Sequence, residues 1–213
     1  MGTMTMAIPR TRYMDQAEVS QLRTVTEAWA LVDLATGRRQ GVITWAFVDT
    51  ALRTGLRVSE LARIKVGDLD LKRGFLKAHR HKRRQPFHEP LALGKGLARH
   101  LAEFIAWKQQ VGEGTDKDDA LFTGKRGPLT IHGLQRLWHR AIDRAGLPTE
   151  YSIHSARHTV AVHLLKETRN LRQVQKQLGH SSPTTTANLY ADVSFSDMGA
   201  GVDALYVDSK QDA

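Results

Sequence analysis

Apolar residues recur every three or four positions along most of this chain, and one stretch breaks that rhythm. Residues 15–34 have the spacing of a helix, closed by a turn at Thr36-Gly37 and followed by Arg38-Arg39. Residues 41–52 are apolar nearly all round (Val42, Ile43, Trp45, Ala46, Phe47, Val48), which predicts a helix buried on every side. Gly55 stops it, and a short helix is predicted over 59–64. Between 66 and 93 the character changes. Short segments at 69–71, 75–79 and 86–93, punctuated by Gly67, Gly74 and Pro90, predict a small antiparallel sheet. Leu97, Leu101, Phe104, Ile105 and Val111 restore helical spacing up to Gly112. Leu134, Leu137, Trp138, Ala141, Ile142 and Ala145 repeat it, and Gly146 and Pro148 end it. Further helices are predicted over 155–167 and 171–178, and Ser182-Pro183 reads as a cap and first helical position. A weaker amphipathic pattern (Phe195, Met198, Val202, Leu205, Tyr206) closes the chain. There is no repeat, low-complexity tract or linker. The pattern predicts one α+β domain, mainly α, with a small three-stranded antiparallel sheet.

Composition narrows what such a domain does. With 213 residues, 41% hydrophobic and 25% charged, the chain has enough apolar material to bury a core. No apolar run approaches the roughly 18–20 residues of a membrane span. The first residues lack the apolar core, about 7–15 residues long, of a secretory signal. A cytoplasmic protein is the expectation. The absence of cysteine excludes disulfides, thiol catalysis and Cys-based metal sites. Lys and Arg number 31 against 22 Asp and Glu, a net charge of +9 that points to a polyanionic partner. The surplus is concentrated. Lys72, Arg73, Lys77, Arg80, Lys82, Arg83 and Arg84 fall in one run with His79 and His81, and no acid follows until Glu89. Such a block repels itself unless an anion is near, which suits a phosphate backbone. Asp116, Asp118 and Asp119 in GEGTDKDD read as a surface loop without a metal role.

Polar residues that interrupt the helices supply the candidate chemistry. In TGLRVSEL, Arg57 follows a glycine break; paired with Glu60 three residues on, it is also an ordinary helix-start arginine. In IHSARHTVAVHLL, His154 and Arg157 are three apart and share a helix face. Two donors side by side make a poor structural pair and a sensible one with an oxyanion before them. His158 stands four residues after His154, the spacing of a zinc pair, but Ser155 occupies the place of a zincin's glutamate. His158 and His163 are therefore read as packed or half-buried. In LGHSSPTTTANLY, His180 lies at a glycine-preceded helix start that favours anions, and Tyr190 comes ten residues later. The Ser and Thr run between them is explained by capping. Arginines, histidines and lysines without a carboxylate cluster suit phosphoryl transfer without a metal, with a tyrosine as nucleophile.

The motifs TGLRVSEL, HSARH and LGHSSPTTTANLY, in that order and with a basic hairpin between the first two, resemble the catalytic domain of the tyrosine recombinase (phage integrase) family. The resemblance implies a site-specific recombinase of a mobile element that cleaves and rejoins double-stranded DNA without metal, ATP or other cofactor. Arg57 and Arg157 would clamp the scissile phosphate, His180 would donate a third hydrogen bond, and His154 would transfer a proton or hold the phosphate. Tyr190 would form a 3′-phosphotyrosyl bond, and Lys82, with Lys77 as the alternative, would protonate the leaving 5′-oxygen. Lys77, Arg80, Arg83 and Arg84 would contact the DNA backbone. Residues 1–191 would form the catalytic domain and 192–213 a tail exchanged between protomers of a dimer or tetramer on nucleoid DNA. Only 56 residues precede Arg57, so the family's N-terminal clamp domain is expected to be absent. The His180 to Tyr190 interval is one residue longer than the family's commonest spacing. One residue turns a helix by about 100°, which keeps Tyr13, Tyr151 and Tyr206 in view as other nucleophiles. Topoisomerase-like relaxation is a related enzymatic reading. A non-catalytic DNA-binding regulator that retains the fold is the alternative from another class.

Overall fold

The computed structural model describes residues 12–82 and 85–179, the side chains of 81–89 excepted. Helix α1 (Gln16–Ala35) starts where the sequence places it, because Asp15 and Glu18 cap each other's amides at 2.9 and 2.8 Å. That reciprocal cap is worth about 1 kcal/mol. Helix α2 (Gln40–Thr54) follows antiparallel to it. The two approach closely at Gly41, where a Cβ would stand 2.6 Å from the Trp29 carbonyl oxygen, and the Gly41 amide donates to buried Asp33. The remaining elements are α3 (Val58–Leu61), β1 (Leu69–Asp70), β2 (Phe75–Lys82), β3 (Gln85–Ala92), α4 (Lys95–Gln110), β4 (Thr123–Gly124), β5 (Gly127–Pro128), α5 (Ile131–Arg144), α6 (Ile153–Thr168) and α7 (Leu171–Leu178).

Helix α2 packs against α1, α4, α5 and α6, which is why its sequence is apolar all round. Phe47 stands edge-on to Phe122 and Trp138 at the centre. Each such side chain contributes roughly 1.5–3 kcal/mol by leaving water. A carboxylate sits at the centre of this core. Asp49 of α2, 1% exposed, accepts hydrogen bonds from Arg23 of α1 (2.9 Å), Arg53 (2.9 Å) and His100 of α4 (2.8 Å). Burial pushes its pKa up, but the bonds from His100 and Arg53 and the charges of Arg53 and Arg23 outweigh that and hold it at about 2. Three helices are thereby fixed to one another by a single side chain.

The predicted sheet is present, antiparallel in the order β1-β2-β3, with Leu76 opposite Leu91 and Lys82 opposite Gln85. Strand β2 runs three residues beyond the predicted end at His79. Leu76, Ala78 and Arg80 are buried and alternate with exposed Lys77 and half-buried His79. The pair β4–β5 is not predicted, because strands of two residues are too short to show a period. The acidic loop is a surface loop, as expected. Its Asp118 pairs with Lys65 at 2.8 Å, and its carbonyls at Asp119 and Lys117 accept the amides of Val66 and Gly67. Behind it Lys108 is wholly buried and donates to the carbonyls of Ala120 (2.8 Å) and Leu121 (3.0 Å). Burial lowers its pKa, against the opposing charges of Glu113 and Asp119. Among the described residues no helix is long and apolar enough to cross a membrane.

Candidate phosphate site

The site is built where α2 ends. Gly55 takes the left-handed conformation (φ 64°) that closes the helix. The chain then turns so that Arg57 stands at the start of α3. The Glu60 carboxylate, 5% exposed, accepts the Arg57 amide at 2.8 Å and its Nη1 at 3.0 Å. The pairing expected of a helix-start arginine is therefore present, and it aims the guanidinium while leaving the side chain 44% exposed. Glu60 thereby joins the candidate site as the residue that orients Arg57; in the sequence its mark is a carboxylate three residues after the arginine.

Helix α6 brings the second arginine to the same place. His154 is exposed in its first turn, and Arg157, one turn on, is 8% exposed. Arg157 donates through Nη1 to the Gly55 carbonyl and through Nη2 to the Leu178 carbonyl, each at 2.7 Å. Both acceptors sit at helix C-termini, where carbonyls lack an intrahelical partner and carry partial negative charge. Burial lowers the Arg157 pKa, the charges of Arg57 and Arg80 lower it further, Glu60 opposes them, and the result is about 10. The side chain is still a cation at neutral pH. Two of its five N–H donors are used on described residues, and a bound oxyanion would relieve the repulsion among the three arginines.

Arg80 requires a correction. An exposed phosphate contact is expected of it, but the side chain is 2% exposed and its Nη2 donates to the Gln177 carbonyl at 2.9 Å. The strand's two-residue period explains this, since position 80 shares the inward face of Leu76 and Ala78. Lys77 lies exposed on the other face, beside Asp68, Asp70 and Phe75. His79 on that face bonds Asp68 at 2.7 Å. Lys82 ends β2. Arg83, Arg84, His180, Tyr190 and the tail 192–213 lie outside the described residues.

Two of the other tyrosines can be placed. Tyr151 is 3% exposed; its hydroxyl donates to Glu18 at 2.9 Å and its carbonyl accepts the Trp138 indole N–H at 2.7 Å. That phenol is engaged in joining α1 to the start of α6 and is unsuited to attack a bulky ester. Tyr13 packs against the small cluster of α6 and α7, and Tyr206 lies outside the described residues. His158 and His163 are half-buried, as expected, and burial lowers both pKa values, assisted by the charge of His154 at the first and of Lys166 at the second. Among the described residues no group of three or more His, Asp or Glu is arranged to hold a metal ion.

Comparison with known proteins identifies the family and the fold. The sequence pattern of the phage integrase family matches residues 12–197. Tyrosine recombinase XerC of Halalkalibacterium halodurans is 34% identical over 146 residues, 66% of this chain and 47% of the relative. Tyrosine recombinase XerC of Haemophilus ducreyi is 31% identical over 185 residues, 83% of this chain and 56% of the relative. The chain thus spans about half the length of the curated relatives it matches. Among solved structures, XerA recombinase superposes with a TM-score of 0.71 at 20% identity, covering 94% of this chain and 65% of its own. A lambda integrase tetramer bound to a Holliday junction superposes at 0.59 and 20% identity, covering 83% and 47%. These likenesses fix the fold as that of the recombinase catalytic domain.

Proposed function

Because the chain belongs to the phage integrase family, we propose that it is a site-specific recombinase that breaks and rejoins DNA strands through a tyrosine ester. The observation that carries this reading is the convergence of Arg57 and Arg157, one aimed by Glu60 and the other held by two helix-end carbonyls. In the proposed step the Tyr190 oxygen bonds to phosphorus while the bond to the 5′-oxygen breaks. His154 takes the phenolic proton, and Lys82 gives a proton to the departing 5′-oxygen. Arg57, Arg157 and His180 hold the non-bridging oxygens, doing by hydrogen bonds what a metal ion does in other phosphoryl transfers. The phosphodiester energy is kept in the new ester, so a second 5′-hydroxyl can reverse the step on another strand. Arg83 and Arg84 contact the DNA backbone; Lys77 does so or stands in for Lys82. Residues 1–191 act as the catalytic unit, and 192–213 join protomers as a dimer or tetramer on DNA in the cytoplasm.

The test is a trapping assay on a pool of nicked duplexes tiling the DNA that borders the gene. The expected result is a denaturation-resistant protein–DNA adduct that Tyr190→Phe abolishes while retaining affinity for the pool. An adduct formed by Tyr190→Phe would assign the nucleophile elsewhere. Binding without any adduct from the unaltered protein would make this a DNA-binding regulator.

A further inference from the structure

The basic hairpin contains one arginine that the proposed chemistry leaves without a task. Arg80 is buried, and its Nη2 holds the Gln177 carbonyl at 2.9 Å while Arg157 holds the next carbonyl, that of Leu178, at 2.7 Å. Two guanidiniums thus share the C-terminal end of α7, where unpaired carbonyls gather partial negative charge. The turn beyond is shaped around the first of them: Gly179 has φ 63°, and a Cβ there would land on the Arg80 guanidinium. Burying a cation costs several kcal/mol unless it is well bonded, so a buried arginine at this spot serves something.

What it holds is the strand. Among the described residues, strand β1 covers β2 only at Leu76 and Phe75, and from Lys77 onward β2 pairs with β3 alone. A two-stranded ribbon is marginal unless it is packed on something. His79 fastens one face of the ribbon to Asp68, and Arg80 fastens the other face to α7. Lys82 follows two positions later, one period of the strand. We infer that Arg80 is a positioning residue: it locks the strand that ends in Lys82 to the end of α7, and so sets the proton donor against the arginine that holds the phosphate. This rests on the reading of Lys82 as that donor. A proton donor misplaced by about 1 Å loses much of its effect on rate, so the tether acts on catalysis without touching DNA.

The experiment compares two nicked duplexes of one sequence, recovered from the pool above, with oxygen or sulfur at the bridging 5′ position. A thiol has a pKa of about 8.5 and leaves as the thiolate, without a donated proton. Arg80→Met is expected to lower single-turnover cleavage of the oxygen duplex by about tenfold or more and of the sulfur duplex by less than about threefold, the pattern of Lys82→Ala, with Arg80→Lys between. Each variant is compared with itself on two substrates, so a misfolded fraction lowers both rates and cancels. Equal losses on both duplexes would overturn the inference. Amide hydrogen exchange, which needs no DNA, decides the tether separately. Arg80→Met should speed exchange in β2 and at Gly179, and unchanged exchange would refute the lock. Failure of the unaltered protein to cleave either duplex would refute the recombinase reading instead, while leaving the exchange result to judge the tether.

Discussion

Asp49→Asn removes one charge from the centre of the fold and keeps the shape of the side chain. The carboxylate is 1% exposed and takes bonds from Arg23, Arg53 and His100. Its pKa falls from 3.8 to about 2 on folding. A shift of that size is worth roughly 2 kcal/mol, the free energy by which the folded protein prefers the ionised form. The sign follows from the lowered value: the contribution is complete above pH 3.8 and is lost as pH falls through 2. The two arginines remain 34% and 37% exposed, so water stays available to them when the carboxylate is gone. The cost should therefore be about 2–3 kcal/mol, below that of a fully enclosed ion pair. Urea unfolding of both proteins at pH 7, 5, 3.5 and 2.5 supplies the test. The difference in stability should hold from pH 7 to 5, shrink below pH 4 and fall to about a third of its full size at 2.5. A difference that does not change with pH would mean that packing or hydrogen-bond shape, and not charge, is what Asp49 provides.

Two further substitutions bear on the site. Gly179→Ala combines a left-handed backbone with a Cβ placed on Arg80, and should cost about 1–3 kcal/mol in urea unfolding and slow adduct formation; a loss under about 0.5 kcal/mol would mean that Arg80 does not fill that space. Tyr151→Phe gives up one hydrogen bond to Glu18, should lower stability by about 1 kcal/mol and should leave adduct yield per folded molecule unchanged. Loss of the adduct in that variant would move the nucleophile away from Tyr190.

The helices were readable because each has a face to bury, and α2 because it has no other kind of face. The short helix expected over 59–64 is found at Val58–Leu61, since four residues cannot display a period of 3.6. Arg57 and Arg157 could be singled out as donors in apolar company, but their anchors could not. The acceptors are main-chain carbonyls at Gly55 and Leu178, and a carbonyl leaves no mark on a sequence. The burial of Arg80 is obscured for a different reason. Counting charges along a run treats consecutive residues as equals, whereas a strand sends alternate ones to opposite faces. The alternation of Leu76, Ala78 and Arg80 against Lys77 and His79 held the information. Lys108 offered no such hint: its partners are carbonyls of a loop and an acid in the next turn.

The sockets of Arg157 carry a consequence for how such a site can be inherited. Every amino acid supplies the same carbonyl, so a substitution at position 178 changes a side chain and leaves the acceptor in place. What the gene must preserve is the path of the chain past that point, not the residue it lays there. A mutation can delete the arginine in one step; no single side-chain exchange at Leu178 deletes the oxygen that holds it. The grip is thus insulated from drift in the surrounding sequence, a kind of error tolerance that a site assembled from paired side chains does not have.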